Sequence, residues 1–234
     1  MDRTMSCPYI SFVSWCLGGQ NQKIYKKYGI FYNKPPMKIF ESMPTLFHSQ
    51  RKKLILMLIA LVGLNLLLYI DTLDHGFLKD DFRLIVENPR VKDFQFFWDS
   101  IGSKFFAFPD FPYLHYWRPL SLFSFYLDYQ LYGLNPSGYH LTNIIINTMN
   151  SLLLFLVFYL LFEKKTYAFW GAFFFSIHPS HVEAVSWISG RTDLLSAFFI
   201  LAAALFFILF LKKRSPFFYG ITVLFFILGL LSKE

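Results

Sequence analysis

Residues able to do chemistry recur at a few places in this sequence. Asp80 and Asp81 are neighbours in Gly76-Phe77-Leu78-Lys79-Asp80-Asp81. Two adjacent carboxylates repel, so a proton is held more readily on one of them unless cations or hydrogen bonds compensate. Such a pair suits general-base work; the plain alternative is an exposed acidic turn. Glu87-Asn88-Pro89 and Trp117-Arg118-Pro119-Leu120 follow. Arg118, flanked by Trp and Pro, suits either an anion or a nearby loop acid. Asn135-Pro136-Ser137-Gly138-Tyr139-His140 has the residues of a turn opening a helix, with His140 near its start.

The run His178-Pro179-Ser180-His181-Val182-Glu183 concentrates two imidazoles and a carboxylate. It lacks the i, i+4 histidine pair of a helical HExxH site, and Pro179 interrupts regular helix. A substrate or acceptor contact, or a structural polar knot, is therefore favoured over a metal site. Arg191 and Asp193 read either as a local ion pair or as a place for a phosphate ligand. Lys233 reads either as interfacial snorkelling or as a cation available to a ligand.

The elements that must position these groups are membrane helices. Of 234 residues 55% are hydrophobic, 21% aromatic and only 16% charged, with 31 Phe. A soluble domain carries roughly 25% charge. A globule of this size has too little interior for so much Phe and Leu, whereas lipid solvates the outside of a helix bundle. The net charge of +7 is not a nucleic-acid signal. Residues 1–53 hold nine Lys/Arg against two Asp/Glu, and residues 54–234 hold thirteen of each. The basic excess thus precedes the first apolar segment, as it does beside a membrane anchor.

Residues 1–50 form a cytoplasmic leader, expected to be disordered. Residues 9–19 are too short and too polar for a signal-peptide core. Cys7 and Cys16, both in the leader, cannot build a disulfide framework or a zinc site alone.

Five spans are expected: Leu54–Ile70, Gly138–Phe162, Tyr167 to about Ile188 with an interruption at His178-Pro179, Leu194–Leu211 and Phe217–Leu231. The second carries Thr142, Asn143, Asn147 and Asn150 in its first half, which face other helices or a water-filled cavity. Three clusters, Arg51–Lys53, Lys164–Lys165 and Lys212–Arg214, then fall on the cytoplasmic side. The loop 71–137, with nine acids and six bases, falls outside. A short helix is expected within it near Tyr116–Tyr132. The carboxylates, imidazoles and cations gather at the outer face, an arrangement suited to an enzyme acting on a lipid-linked substrate.

The motif series Phe77–Pro89, Arg118-Pro119-Leu120, Gly133-Leu134-Asn135-Pro136, Gly138–Asn143, His178–Val185, Gly190-Arg191-Thr192-Asp193 and Leu231-Ser232-Lys233-Glu234 resembles a known family. It is similar to the transmembrane and tetratricopeptide-repeat O-mannosyltransferases and their bacterial relatives, polyprenyl-phosphate-sugar glycosyltransferases of the GT-C class. The resemblance covers about residues 54–234. It implies an all-α, GT-C-like membrane domain over residues 51–234. It also implies inverting transfer of a sugar, mannose first, from a polyprenyl-phosphate donor to a protein or glycan hydroxyl.

By the same resemblance Asp80 is the base, Asp81 orients it or the acceptor, and Lys233 contacts the phosphate with Arg191 as a second candidate. Arg118, His140, His178, His181, Glu183 and Asp193 complete the expected substrate-contacting set. No cofactor and no metal are implied; the partners are membrane lipid, the donor and the acceptor, and no nucleic acid. Family members continue into further spans and repeats of about 34 residues, none of which is visible here, so the chain reads as the amino-terminal part of such a protein. A bacterial inner membrane with the site facing outward is the expected location. The competing reading is a non-enzymatic transporter or assembly partner that kept the scaffold, or an inactive fragment.

Overall fold

The computed structural model describes residues 51–102 and 117–233. The leader with Cys7 and Cys16, residues 103–116 and Glu234 lie outside the described residues. Among the described residues every regular element is helical. Three are long and apolar enough to cross a membrane: Lys52–Asp74, Pro136–Phe162 and Ile188–Lys213. The chain is thus an all-α integral membrane protein.

The first of these comprises α1 (Arg51–Tyr69) and a tight continuation over Ile70–Asp74. Two short helices follow, α2 (Pro89–Lys92) and α3 (Phe94–Gly102), and then α4 (Pro119–Tyr132). The second span is α5 (Pro136–Phe162). Next come α6 (Lys165–Ile177) and α7 (His181–Ser186). The third span contains α8 (Arg191–Lys213), and α9 (Pro216–Ser232) ends the described chain.

The starts and stops have local causes. Asn135 caps α5 by accepting from the Ser137 amide, with Pro136 at the first helical position; Asn88 caps α2 from the Arg90 amide in the same way ahead of Pro89. Both satisfy amides that the first helical turn leaves unpaired. Glu163 and Arg214 end α5 and α8 in the left-handed region, at φ 58° and 54°, and so reverse the chain in a very few residues.

The expected third span, Tyr167 to about Ile188, is broken at His178-Pro179, as the sequence suggests. The helix stops at Ile177, and His178 is extended at φ −68°, ψ 128°. The cause is Pro179, whose ring disfavours helical backbone in the residue before it. The 13 residues of α6 measure about 20 Å. At 17 residues α9 is also shorter than the three long spans.

The bundle core near the charged turns joins Leu61, Phe155, Ala168 and Ala172, with Leu54, Leu58, Phe158, Tyr159 and Phe169 against it. The small alanines one turn apart let α6 lie close to α1 and α5, the usual device where lipid supplies no hydrophobic drive. At the same end the Lys212 ammonium donates to the Leu160 carbonyl at 2.6 Å and faces Glu163 at 3.8 Å. The lysines after α5 and α8 and the basic start of α1 therefore share one end of the bundle, as charge asymmetry requires. Asp80, Asp193 and Lys233 stand at the other.

Candidate functional site

Polar side chains inside the bundle fix where that far end sits. Asn147 donates to Asn65 Oδ1 at 2.8 Å, and Asn65 donates onward to Ser151 and Ser176. The four side chains, all buried, tie α1, α5 and α6 together. This accounts for the polar first half of α5: in hydrocarbon these amides bond across helices because no water competes. Asn150 donates to the Leu194 carbonyl at 3.0 Å and so holds α8.

Nearer that far end, Arg191 is wholly buried. Its guanidinium pairs with Asp128 at 2.5 Å, donates to Asn143 Oδ1 at 2.7 Å and to the Tyr139 carbonyl at 2.8 Å, and lies over the Phe125 ring at 4.6 Å. Asp128 also accepts from Thr142 at 2.9 Å. Asn143 turns its amide hydrogens to the Trp187 carbonyl at 3.1 Å and to the Val185 and Ile188 carbonyls. One buried ion pair thereby locks α4, α5 and the start of α8. Gly190 makes the join possible, because a Cβ there would stand 2.9 Å from the Ala184 Cα and 2.8 Å from its carbonyl oxygen.

Asp81 extends this lock to the loop after α1. Its carboxylate is 1% exposed and accepts from the Leu78 amide at 2.9 Å, from the Ser189 amide at 3.0 Å and from the Ser189 hydroxyl. Burial pushes its carboxyl above the ordinary value, and the hydrogen bonds pull partly back. Asp80, next to it, is exposed. The two carboxylates that look alike in sequence are thus separated, one clamped and one facing outward.

Asp80 lines a cavity of about 650 Å³. Arg83, Arg118, His181, Glu183, Asp193 and Lys233 line it too, with Asn147, Asn150, Phe175, Trp187 and Leu194. Lys233 pairs with Asp193, both partly exposed. Ser121 on α4 donates to the Ser232 carbonyl at 2.9 Å, which fixes the end of α9 and hence Lys233. His181 packs on the Phe175 ring, centroids 4.2 Å apart. Burial, and secondarily the neighbouring His178, hold its imidazole below the ordinary histidine value.

Six of the ten residues singled out in the sequence, Asp80, Arg118, His181, Glu183, Asp193 and Lys233, share this cavity. The other four do not line it. Asp81 is the clamp. Arg191 is a structural cation, its charge already satisfied by Asp128. His140 is buried, edge-on to His75 at 6.1 Å between centroids. His178 is exposed and bonded to Ser180 through Nδ1 at 2.7 Å. Arg83, Trp187 and Asp128 were not anticipated. Arg83, in the run opened by Asp80, was the one signal available; Asp128 is the one ionisable acid or base in a helix otherwise made of aromatic, leucine and a few neutral polar residues.

The chain is similar to known proteins over more than half of its length. It is 35% identical over 145 residues to the protein O-mannosyl-transferase Tmtc1 of Drosophila melanogaster, covering 61% of this chain and 17% of that protein. With a Caenorhabditis elegans protein O-mannosyl-transferase the identity is 35% over 195 residues, 76% of this chain and 26% of the relative. With human protein O-mannosyl-transferase TMTC3 it is 32% over 164 residues, 67% and 17%. The chain spans about a quarter or less of the length of these relatives. No family profile matches it, and no solved structure does.

Proposed function

We propose, from the chain's homology to part of the transmembrane and tetratricopeptide-repeat O-mannosyltransferases, that it carries the base-bearing half of a polyprenyl-phosphate-mannose transferase site. Asp80 removes the proton from an acceptor hydroxyl as that oxygen attacks the anomeric carbon. The new glycosidic bond forms as the bond from that carbon to the phosphate oxygen breaks, with inversion. The electron pair leaves on the lipid phosphate, and the proton remains on Asp80. Lys233 and Arg118 offset the charge that grows on the departing phosphate. The donor is a substrate, so the chemistry needs no resident cofactor. The acceptor is a protein hydroxyl, as the relatives' names suggest for those proteins.

The observation that carries this reading is the division of labour between the aspartates. Asp81 is spent on Leu78 and Ser189, while Asp80 is left at a cavity that also holds Lys233 and Arg118. A base needs an unspent carboxylate next to where the acceptor arrives, with cations near the leaving group. The site faces away from the basic turns and hence from the cytoplasm. The three relatives named above are animal proteins and lend nothing to a bacterial inner membrane, so the non-cytoplasmic face is the location retained.

The test is acceptor-dependent release of labelled polyprenyl phosphate from polyprenyl-phosphate mannose by membranes holding the protein. Asp80→Asn is expected to slow release by roughly 10²–10⁴-fold with the unfolding midpoint unchanged. Full turnover in that variant would remove Asp80 as the base.

A further inference from the structure

The wall that α6 and α7 give the cavity stands at an unusual depth. α6 runs 13 residues from Lys165, so its end at Ile177 lies about 20 Å from the charged turns. Hydrogen bonds to α5 check that height. Ser176, eleven residues from Lys165, bonds Ser151, eleven residues from Phe162, at 2.9 Å between hydroxyls. Asn143, nineteen residues from Phe162 and so about 28 Å up, bonds the Val185, Trp187 and Ile188 carbonyls. Residues 178–184 therefore climb from about 20 to about 28 Å, still within a hydrocarbon core of about 30 Å.

The surface changes character at the same height. Tyr167, Trp170, Phe174 and Ile177, spaced three and four apart, are exposed along one face of α6. This lipid-facing stripe stops at Ile177. Beyond it His178, Pro179 and Val182 are exposed and do not line the cavity, whereas Ser180, His181 and Glu183 do. The wall here is one segment thick, with polar groups on both sides. Hydrocarbon against His178 is costly, and a span shorter than the bilayer is matched by thinning it locally. We propose that the bilayer thins beside α6 and that a phosphate-headed lipid enters the cavity sideways past residues 178–183. Thinning by about 10 Å brings the headgroup layer level with this wall, so the phosphate reaches it while the acyl or prenyl chain stays in the leaflet. Arg83, Arg118 and Lys233 on the same cavity suit an anionic head. The transferase reading supplies only the choice of polyprenyl phosphate as that lipid.

The test uses the protein in nanodiscs with Cys7→Ser and Cys16→Ser, so that one introduced cysteine carries each label. His178 and Met149 stand at equal height, thirteen residues from Lys165 and Phe162, and both are exposed. A nitroxide on His178→Cys is expected to meet a water-soluble nickel chelate, and one on Met149→Cys to meet oxygen dissolved in hydrocarbon. A bulky maleimide on Val182→Cys is expected to slow association of polyprenyl phosphate by roughly tenfold. Dissociation slows alike, so the equilibrium affinity is kept. Citronellyl phosphate, short and water-soluble, reaches the cavity from solution and is expected to bind as fast as before. The same maleimide on Met149→Cys is expected to slow neither.

A nitroxide at position 178 that behaves as the one at 149 does would overturn the proposal, since the bilayer is then not thinned there. So would unslowed association of polyprenyl phosphate past the maleimide at 182. Equal slowing of citronellyl phosphate would also overturn it, because the tag then fills the cavity and not its entrance. Because association needs no turnover, the two readings fail separately. Slowed association without transfer to any acceptor would refute the transferase and keep the entrance. Transfer with unslowed association would refute the entrance and keep the transferase.

Discussion

Two cation–carboxylate pairs stand near the end of the bundle away from the basic turns, and they differ in what surrounds them. Arg191 and Asp128 are 0% and 4% exposed, held by Asn143, Thr142 and a backbone carbonyl. Lys233 and Asp193 are 39% and 51% exposed at the mouth of a cavity. The first pair has used its charge to bring three helices together. The second keeps its charge available to a ligand, because exchanging a solvated partner costs little. Each pair sets a basic side chain against an aspartate; what separates them is the number of partners each charge already engages.

The contrast is broken most severely at Arg191. Arg191→Met leaves Asp128 buried and uncompensated, and a loss of about 3–5 kcal/mol is expected from an unfolding titration in detergent. Arg191→Met combined with Asp128→Leu removes both charges and is expected to recover most of that loss. If the single variant folds as the wild type does, the ion pair is not the lock described here.

Asp80→Asn is the converse case, with turnover lost as stated above and stability within about 0.5 kcal/mol of the wild type. Lys233→Met is expected to cost less than about 1 kcal/mol of stability. It should nevertheless weaken binding of bare polyprenyl phosphate, measured by titration into nanodiscs. A stability loss comparable to that of Arg191→Met would erase the distinction between the pairs.

The smallest expected effect is a pH dependence at His181. Its folded-state value lies below the ordinary 6.5, so the folded protein resists its protonation more than the unfolded chain does. Stability from this group is present above about pH 6.5 and is lost as pH falls through the lowered value. His181→Gln is expected to flatten that part of the profile. Asp81 has the opposite sense: its raised value favours the folded state at low pH and costs stability as the carboxyl ionises.

Much of this architecture was legible in the residues. Long apolar runs flanked by lysines gave α1, α5, α8 and α9 to within a few positions, because hydrophobic length and charge asymmetry act through the bilayer and not through tertiary detail. The polar stripe of α5 was recognisable as inward-facing for the same reason. The division of tasks was not legible. Nothing in Asp80-Asp81 says which carboxylate meets Ser189, since that partner is 108 residues away. Arg191-Thr192-Asp193 reads as an ion pair with itself, yet each charge finds another partner, Asp128 on α4 and Lys233 after α9. The break at His178-Pro179 within the third apolar run was legible from Pro179, which disfavours helical backbone in the residue before it.

The hydrogen bonds that complete the outer end join residues made far apart in time. Asp81 waits for Ser189, 108 residues later, and Ser121 waits for Ser232, 111 residues later. At a synthesis rate of about 5–20 residues per second, each interval is on the order of 5 to 20 s. Until then the Asp81 carboxylate and the Ser121 hydroxyl lack the partners that hold them in the folded chain. The cavity is therefore a late product of translation, and a ribosome stalled before α9 would leave a nascent chain in which Asp81 already has Ser189 but Ser121 still lacks the Ser232 carbonyl.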